Sequence, residues 1–306
     1  MDHNICLNAH CFPATDKSTA YDILLNAFFG LLELNQGDDR FFLYYDDQAS
    51  NFIDDCQLAP EYTYADFLKD LLNSDHVDVC QFIVEIADKS PALDFLFREN
   101  EELFNTISNY TFYLPDSGLT SPMDTLSLAW FLDATLLSIP TCSHWDKAYL
   151  HVKKYPPDRY HNDVLPLRNI SRFEHGRLLR EYYASLNTPA LEELCPICIF
   201  TDDFIHWLGN LDSINQYRIR DKLTLACARN FSGGEPLFKS LENAHGIREI
   251  RFSAYPGGAI RILFAQYDAT RFALFLGFIK KSDNEGYNEN IARAKILWDQ
   301  LRLRLN

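Results

Sequence analysis

Apolar residues recur at helical spacing from residue 18 to 36, through Tyr21, Leu24, Ala27, Phe28, Leu31 and Leu34, the period that lays one stripe along a helix. Asp16 or Ser18 is placed to cap this helix, and Gly37 to end it. The unbroken apolar run Arg40-Phe-Phe-Leu-Tyr-Tyr45, closed by the polar pair Asp46-Asp47, predicts a buried strand. Helical spacing returns over 64–72 and 77–87, and the second of these breaks before Ser90-Pro91. Over 121–139 a helix opened by Ser121-Pro122, with its stripe on Leu126, Leu128, Ala129 and Leu132, runs into an extended piece, 134–139, that Pro140 stops. Helices alternating with short buried strands predict an α/β N-terminal domain.

The pattern changes in the last third. Two helices are predicted at 202–209 and 213–228, then a Ser232-Gly233-Gly234 turn, three strand-like runs at 246–252, 257–264 and 272–281, and a final helix over 288–305. This is an α+β domain of helical hairpin, small antiparallel sheet and terminal helix. The proline-punctuated stretch between them carries one helical piece, 175–186. The predicted organisation is a domain at 1–155, a connecting helical segment at 156–194, and a second domain at 195–306.

Charge sharpens the division. The chain of 306 residues has a net charge of −15, which as a whole disfavours nucleic acid. Residues 1–142 hold 5 Lys/Arg against 24 Asp/Glu, whereas residues 190–306 hold 15 against 14, so the acidity belongs to the N-terminal end alone. That block reads as a solvated acidic surface, or as a domain that competes with RNA for cations elsewhere in the chain. Eight cysteines without a signal peptide, and no apolar run near the roughly 18 residues that cross a bilayer, predict a cytoplasmic protein with reduced thiols and no membrane association.

Each predicted C-terminal strand brings a cation to its face or end: Arg251, Arg261 and the Lys280–Lys281 pair. Clustered permanent cations on a rigid sheet suit a phosphodiester substrate, because the phosphorane formed on attack is dianionic. Glu249 and neighbouring acids are equally placed to pair with these arginines across strands.

The runs Pro236-Leu-Phe-Lys-Ser-Leu241, Gly246-Ile-Arg-Glu-Ile-Arg251, Ala259-Ile-Arg-Ile-Leu-Phe264 and Leu276-Gly-Phe-Ile-Lys-Lys281 resemble, in order and spacing, the RelE/ParE toxin superfamily, and most of all its HigB-like, phage-derived branch. The resemblance covers about residues 195–306. It implies a metal-independent endoribonuclease without a cofactor that cleaves mRNA on the ribosome. Arg251 and Arg261 would bind the scissile phosphate, Lys280 or Lys281 would stabilise the transition state, and His245 or Tyr287 would move a proton. Lys239 and Arg248 would add RNA contacts. It also implies an antitoxin or a defence-complex protein as partner, in growth control or phage defence. The sequence departs from the family at Ser282-Asp-Asn-Glu285, where acids replace the usual Thr-Pro. The alternative is a catalytically inactive RelE-like module used for protein contact.

Other signals are slighter. Asp124, with Asp46, Asp47 and Asp133, bears a faint likeness to PIN-type nucleases, but Asn8 stands where that family's leading aspartate is expected. Cys195-Pro-Ile-Cys198 reads as a buried structural pair, since His206 and Cys227 complete no standard zinc module. His3, Cys6, His10 and Cys11 form a denser grouping near the N-terminus.

Overall fold

The computed structural model describes residues 2–37, 39–46, 52–99, 111–115, 124–155, 164–186, 189–241, 244–254, 258–280 and 286–303. The chain divides into two compact units, Met1–Tyr183 and Ala184–Asn306.

The first unit is built on a seven-stranded sheet. Its strands are β1 (Asp2–Leu7), β2 (Arg40–Tyr44), β5 (Ala87–Lys89), β6 (Thr111–Tyr113), β7 (Thr135–Leu137), β8 (Tyr149–Tyr155) and β9 (Val164–Ile170); β3 (Gln57–Ala59) and β4 (Tyr62–Thr63) pair separately. The order is β5-β2-β1-β7-β9-β8-β6, with β5, β2, β1, β7 and β9 parallel and β8 antiparallel to β9. The predicted α/β class is what forms. Helices α1 (Lys17–Leu32), α2 (Tyr64–Leu72), α3 (Val77–Glu85), α4 (Ala92–Glu99), α5 (Asp124–Leu132) and α6 (Phe173–Leu186) alternate with the strands. Asp16 caps α1 by accepting from the Thr19 amide at 2.9 Å, and Thr63 with Asp66 forms a capping box on α2. The helix opening expected at Ser121-Pro122 lies outside the described residues.

The segment expected to connect the domains instead supplies β9, which lies inside the sheet between β7 and β8. Its burial alternates (Leu165 and Leu167 in, Val164 and Pro166 half-exposed), which is the period-two signature of a strand rather than of a linker. Two glycines let α6 approach α1: a Cβ on Gly176 would sit 1.8 Å from the Gly30 carbonyl oxygen.

The second unit opens with a one-turn helix, α7 (Leu191–Leu194), and the short strand β10 (Cys198–Phe200). Helices α8 (Asp202–Gly209) and α9 (Ser213–Ala228) follow, capped by Thr201 and Asp212. Strands β11 (Phe238–Ser240), β12 (Arg248–Ser253), β13 (Ala259–Gln266) and β14 (Phe272–Lys280) precede the last helix, α10 (Tyr287–Leu303). The five strands order as β10-β14-β13-β12-β11; β11 through β14 are antiparallel, while β10 joins the edge parallel to β14. The sheet is therefore larger than the three strands expected, and mixed.

Its two faces have different tasks. On one, Phe231 stacks on Phe272 and packs at a tilt against Phe238 and Phe264, and Trp207 of α8 presses on Gly277, where a Cβ would meet the indole at 2.1 Å. On the other, Ala294, Leu297 and Trp298 of α10 pack on Leu263, Phe275, Leu276 and Phe278. That second face also carries the charged residues considered next.

Candidate functional site

Strand alternation puts residues 249 and 251 on one face of β12, and the register sets Arg251 directly opposite Arg261 of β13. Arg261 in turn lies opposite Phe278, two residues from Lys280 on β14. Arg251, Arg261 and Lys280 thus share the face beneath α10, as the strand pattern predicted. Gly258, at φ +90, lets the β13 backbone come close to Lys280: a Cβ there would lie 2.7 Å from the Lys280 carbonyl oxygen.

Burial changes the picture drawn from sequence. Arg261 is 3 % exposed and Glu249 1 %. The Arg261 Nε lies 3.8 Å from Glu249 Oε1, and the Tyr287 hydroxyl donates to Glu249 Oε2 at 2.7 Å. Arg251 Nη1 stands 3.8 Å from Glu235 Oε1, and the Lys280 ammonium 5.8 Å from the Tyr287 ring centre. The result is one network: two guanidiniums, a buried carboxylate, a phenol at the first position of α10, and an ammonium at the rim. A carboxylate without water is tolerable only when paired and hydrogen-bonded, and Glu249 is both.

Burial, then the Glu249 charge, push the Tyr287 phenol above its ordinary range, although Arg261 and Arg251 pull the other way. Tyr287 is therefore neutral at physiological pH and is a hydrogen-bond or proton donor rather than a base.

Other expected residues fall elsewhere. Arg248 is three residues from Arg251, and so on the opposite face. Its guanidinium donates to the Phe231 and Gly233 carbonyls at 2.9 and 2.6 Å and lies over the Phe238 and Phe264 rings. It clamps the turn after α9 onto the sheet, away from the face that carries Arg251 and Arg261. His245 sits exposed in the turn before β12, at φ +53, at the end of the strand remote from Arg251. Lys239 is exposed on β11, opposite Glu249 in register and so on the charged face. Lys281 and the Ser282–Glu285 departure lie outside the described residues. Glu249 is the member that sequence reasoning treated only as a pairing partner; its place two residues before Arg251 was the available signal.

Of the carboxylates considered in the first unit, Asp46 and Asp133 have described side chains, and each has a partner of its own. Asp46 accepts from the Leu93 amide at 2.9 Å, and Asp133 pairs with Arg168 at 2.7 Å. Asp47 is outside the described residues. Beside β1 and β7, where strand order reverses and α/β proteins place their ligands, a neutral network fills the space. Asn8 donates to Ser138 at 2.9 Å, Ser138 to Asn169 at 2.7 Å, and Asn169 to the Trp145 and Lys147 carbonyls. Each of these three side chains is satisfied by a neutral neighbour. His3, Cys6, His10 and Cys11 do not gather either: His3 stacks on Phe41, and Cys11 donates to the Asn8 carbonyl at 2.9 Å. Among the described residues one group of potential metal ligands is close-set, and it is one the spacing argued against: Cys195, Cys198 and Cys227, with sulfurs within 4.8 Å of one another.

No helix among the described residues is long and apolar enough to cross a membrane. Comparison with curated proteins and with solved structures gave no match. A family match does exist, and it spans every residue of the charged network while leaving the first unit, Cys195 and Cys198 outside. Residues 206–299 match the family described as Phage derived protein Gp49-like (DUF891), so the likeness covers most of the second unit and about a third of the chain.

Proposed function

We propose that the second unit is a toxin-type ribonuclease module that cleaves mRNA on the ribosome without a metal. One observation carries the reading: Arg251 and Arg261 face each other across two strands, on the face that Tyr287 and Lys280 also reach. In this reading the two guanidiniums neutralise the phosphate as the substrate's 2′-hydroxyl attacks it and gives up its proton to water, and Lys280 adds charge at the rim. Tyr287, kept protonated, gives its proton to the leaving 5′ oxygen, an alkoxide far more basic than a phenolate. His245 has no part in it.

Arg261 lies beneath α10, so RNA reaches it only when the start of that helix moves. Control of that movement is where an antitoxin, a defence-complex partner or the acidic first unit would act. The second reading, an inactive interaction module, is favoured by the same network seen differently: Glu249 and Glu235 already neutralise the two arginines.

The test is induced expression of the full chain and of residues 184–306, reading growth and translation-dependent mRNA cleavage. Arg251→Ala is the informative variant, because it strands no fully buried carboxylate. Loss of about 10²–10³-fold in cleavage, the usual effect of removing one transition-state donor, supports the ribonuclease. Folded proteins that cleave nothing beside translating ribosomes leave the interaction module.

A further inference from the structure

Cys195 and Cys198 flank a tight turn. The Cys198 amide donates to the Cys195 carbonyl at 2.9 Å, and Cys198 then begins β10. Cys227 comes from another element, the last turn of α9. The three sulfurs meet within 4.8 Å, and those of Cys198 and Cys227 are 3.7 Å apart. A disulfide needs about 2.05 Å, so this is not a bond. A tetrahedral zinc with bonds of about 2.3 Å sets its sulfurs about 3.8 Å apart, close to the 3.7 Å between Cys198 and Cys227 and within reach of the 4.8 Å that bounds all three.

We propose that Cys195, Cys198 and Cys227 bind one zinc ion, with solvent in the fourth position, and that the ion clasps the start of β10 to the end of α9.

Two further features support it. Cys195 is fully buried while Cys198 and Cys227 are half-exposed, so the trio has a closed floor and an open side. The C-terminal end of a helix favours a cation and opposes a bare thiolate, so Cys227 is better placed to ligate than to act as a nucleophile. Thiolate donors select zinc over the hard cations. The clasp also has a mechanical purpose: β10 is three residues long and holds the sheet edge through its pairing with β14, and short edge strands need such support.

The experiment uses the full chain, purified under reducing, metal-free conditions and then given zinc alone. Elemental analysis after desalting should find one zinc per chain. Cobalt(II) in its place should give sulfur-to-metal charge-transfer absorption with tetrahedral d–d bands. Cys198→Ser and Cys227→Ser should each abolish that absorption, whereas Cys142→Ser, at an exposed cysteine, should leave it unchanged. Chelation should raise hydrogen exchange at 198–200 and at the end of α9. Three results would overturn the proposal: reduced, folded wild-type chain that retains no zinc; zinc that persists in the folded Cys198→Ser/Cys227→Ser double variant; or two missing thiols that return on reduction, which means a disulfide. The wild-type measurement needs no variant to fold, and none of these outcomes depends on ribonuclease activity.

Discussion

Replacing Arg261 by alanine tests whether the charged face is a true buried network. Its side chain is 4 % exposed and that of Glu249 2 %, with 3.8 Å between Nε and Oε1. At an effective dielectric constant near 20, that separation corresponds to about 4 kcal/mol of attraction. Loss of one partner strands the other, and breaking such pairs costs about 3–5 kcal/mol. The fitting assay is hydrogen exchange along β12 and β13 in the full chain, because it reports this unit without requiring the whole chain to unfold in one step. The expected fall in protection is about two to nearly four orders of magnitude, the same free energy at about 1.4 kcal/mol per decade. Glu249→Gln should be costly too, since it removes the same ion pair, and the double variant should lose little more than either single, so the coupling is close to the cost of one single, about 3–5 kcal/mol. Additive losses, or an Arg261→Ala chain protected to within about tenfold of the parent, would refute the buried pair. The same reasoning makes Arg261→Ala a poor activity probe, because lost cleavage would be confounded with lost stability.

Gly277→Ala should destabilise the second unit by at least about 1–3 kcal/mol, the range for overpacking, since its Cβ falls 2.1 Å from the Trp207 ring; thermal melting compares the two, and an unchanged Tm contradicts it. Gly176→Ala should be worse for the first unit, because the obstacle is the Gly30 backbone rather than a side chain. Acid should weaken the first unit. Burial holds both His3 and His175 below the ordinary histidine range, so the unfolded chain binds protons that the folded chain refuses. Stability from these residues is then full above about pH 6.5 and falls as pH drops toward their folded values, by up to about 1.4 kcal/mol per pH unit for each. Denaturant midpoints between pH 7.5 and 5 measure this, and His3→Gln should flatten the slope; an unchanged slope would show that His3 is not the source.

Much of this protein was legible in its sequence, and the reason is local. The helices at 64–72, 202–209 and 213–228 form at the predicted bounds because period, cap and stop signals lie within a few residues of one another. The charged face followed from alternation along β12 and β13, which needs only the strands to exist. The same alternation, applied to Arg248, places it on the opposite face from Arg251.

Three things required the tertiary structure. Strand β9 was hidden in a proline-flanked stretch because its pairing partners, β7 and β8, are set by sheet order rather than by neighbours in sequence. The depth of Arg261 and Glu249 depends on α10 lying across the sheet, which no strand pattern encodes. And Cys227 meets Cys195 and Cys198 only because α9 ends beside β10, some thirty residues along the chain. Spacing rules describe ligands carried on one local turn; a site assembled from a turn and a distant helix end is fixed by packing, and packing is what the sequence alone does not display.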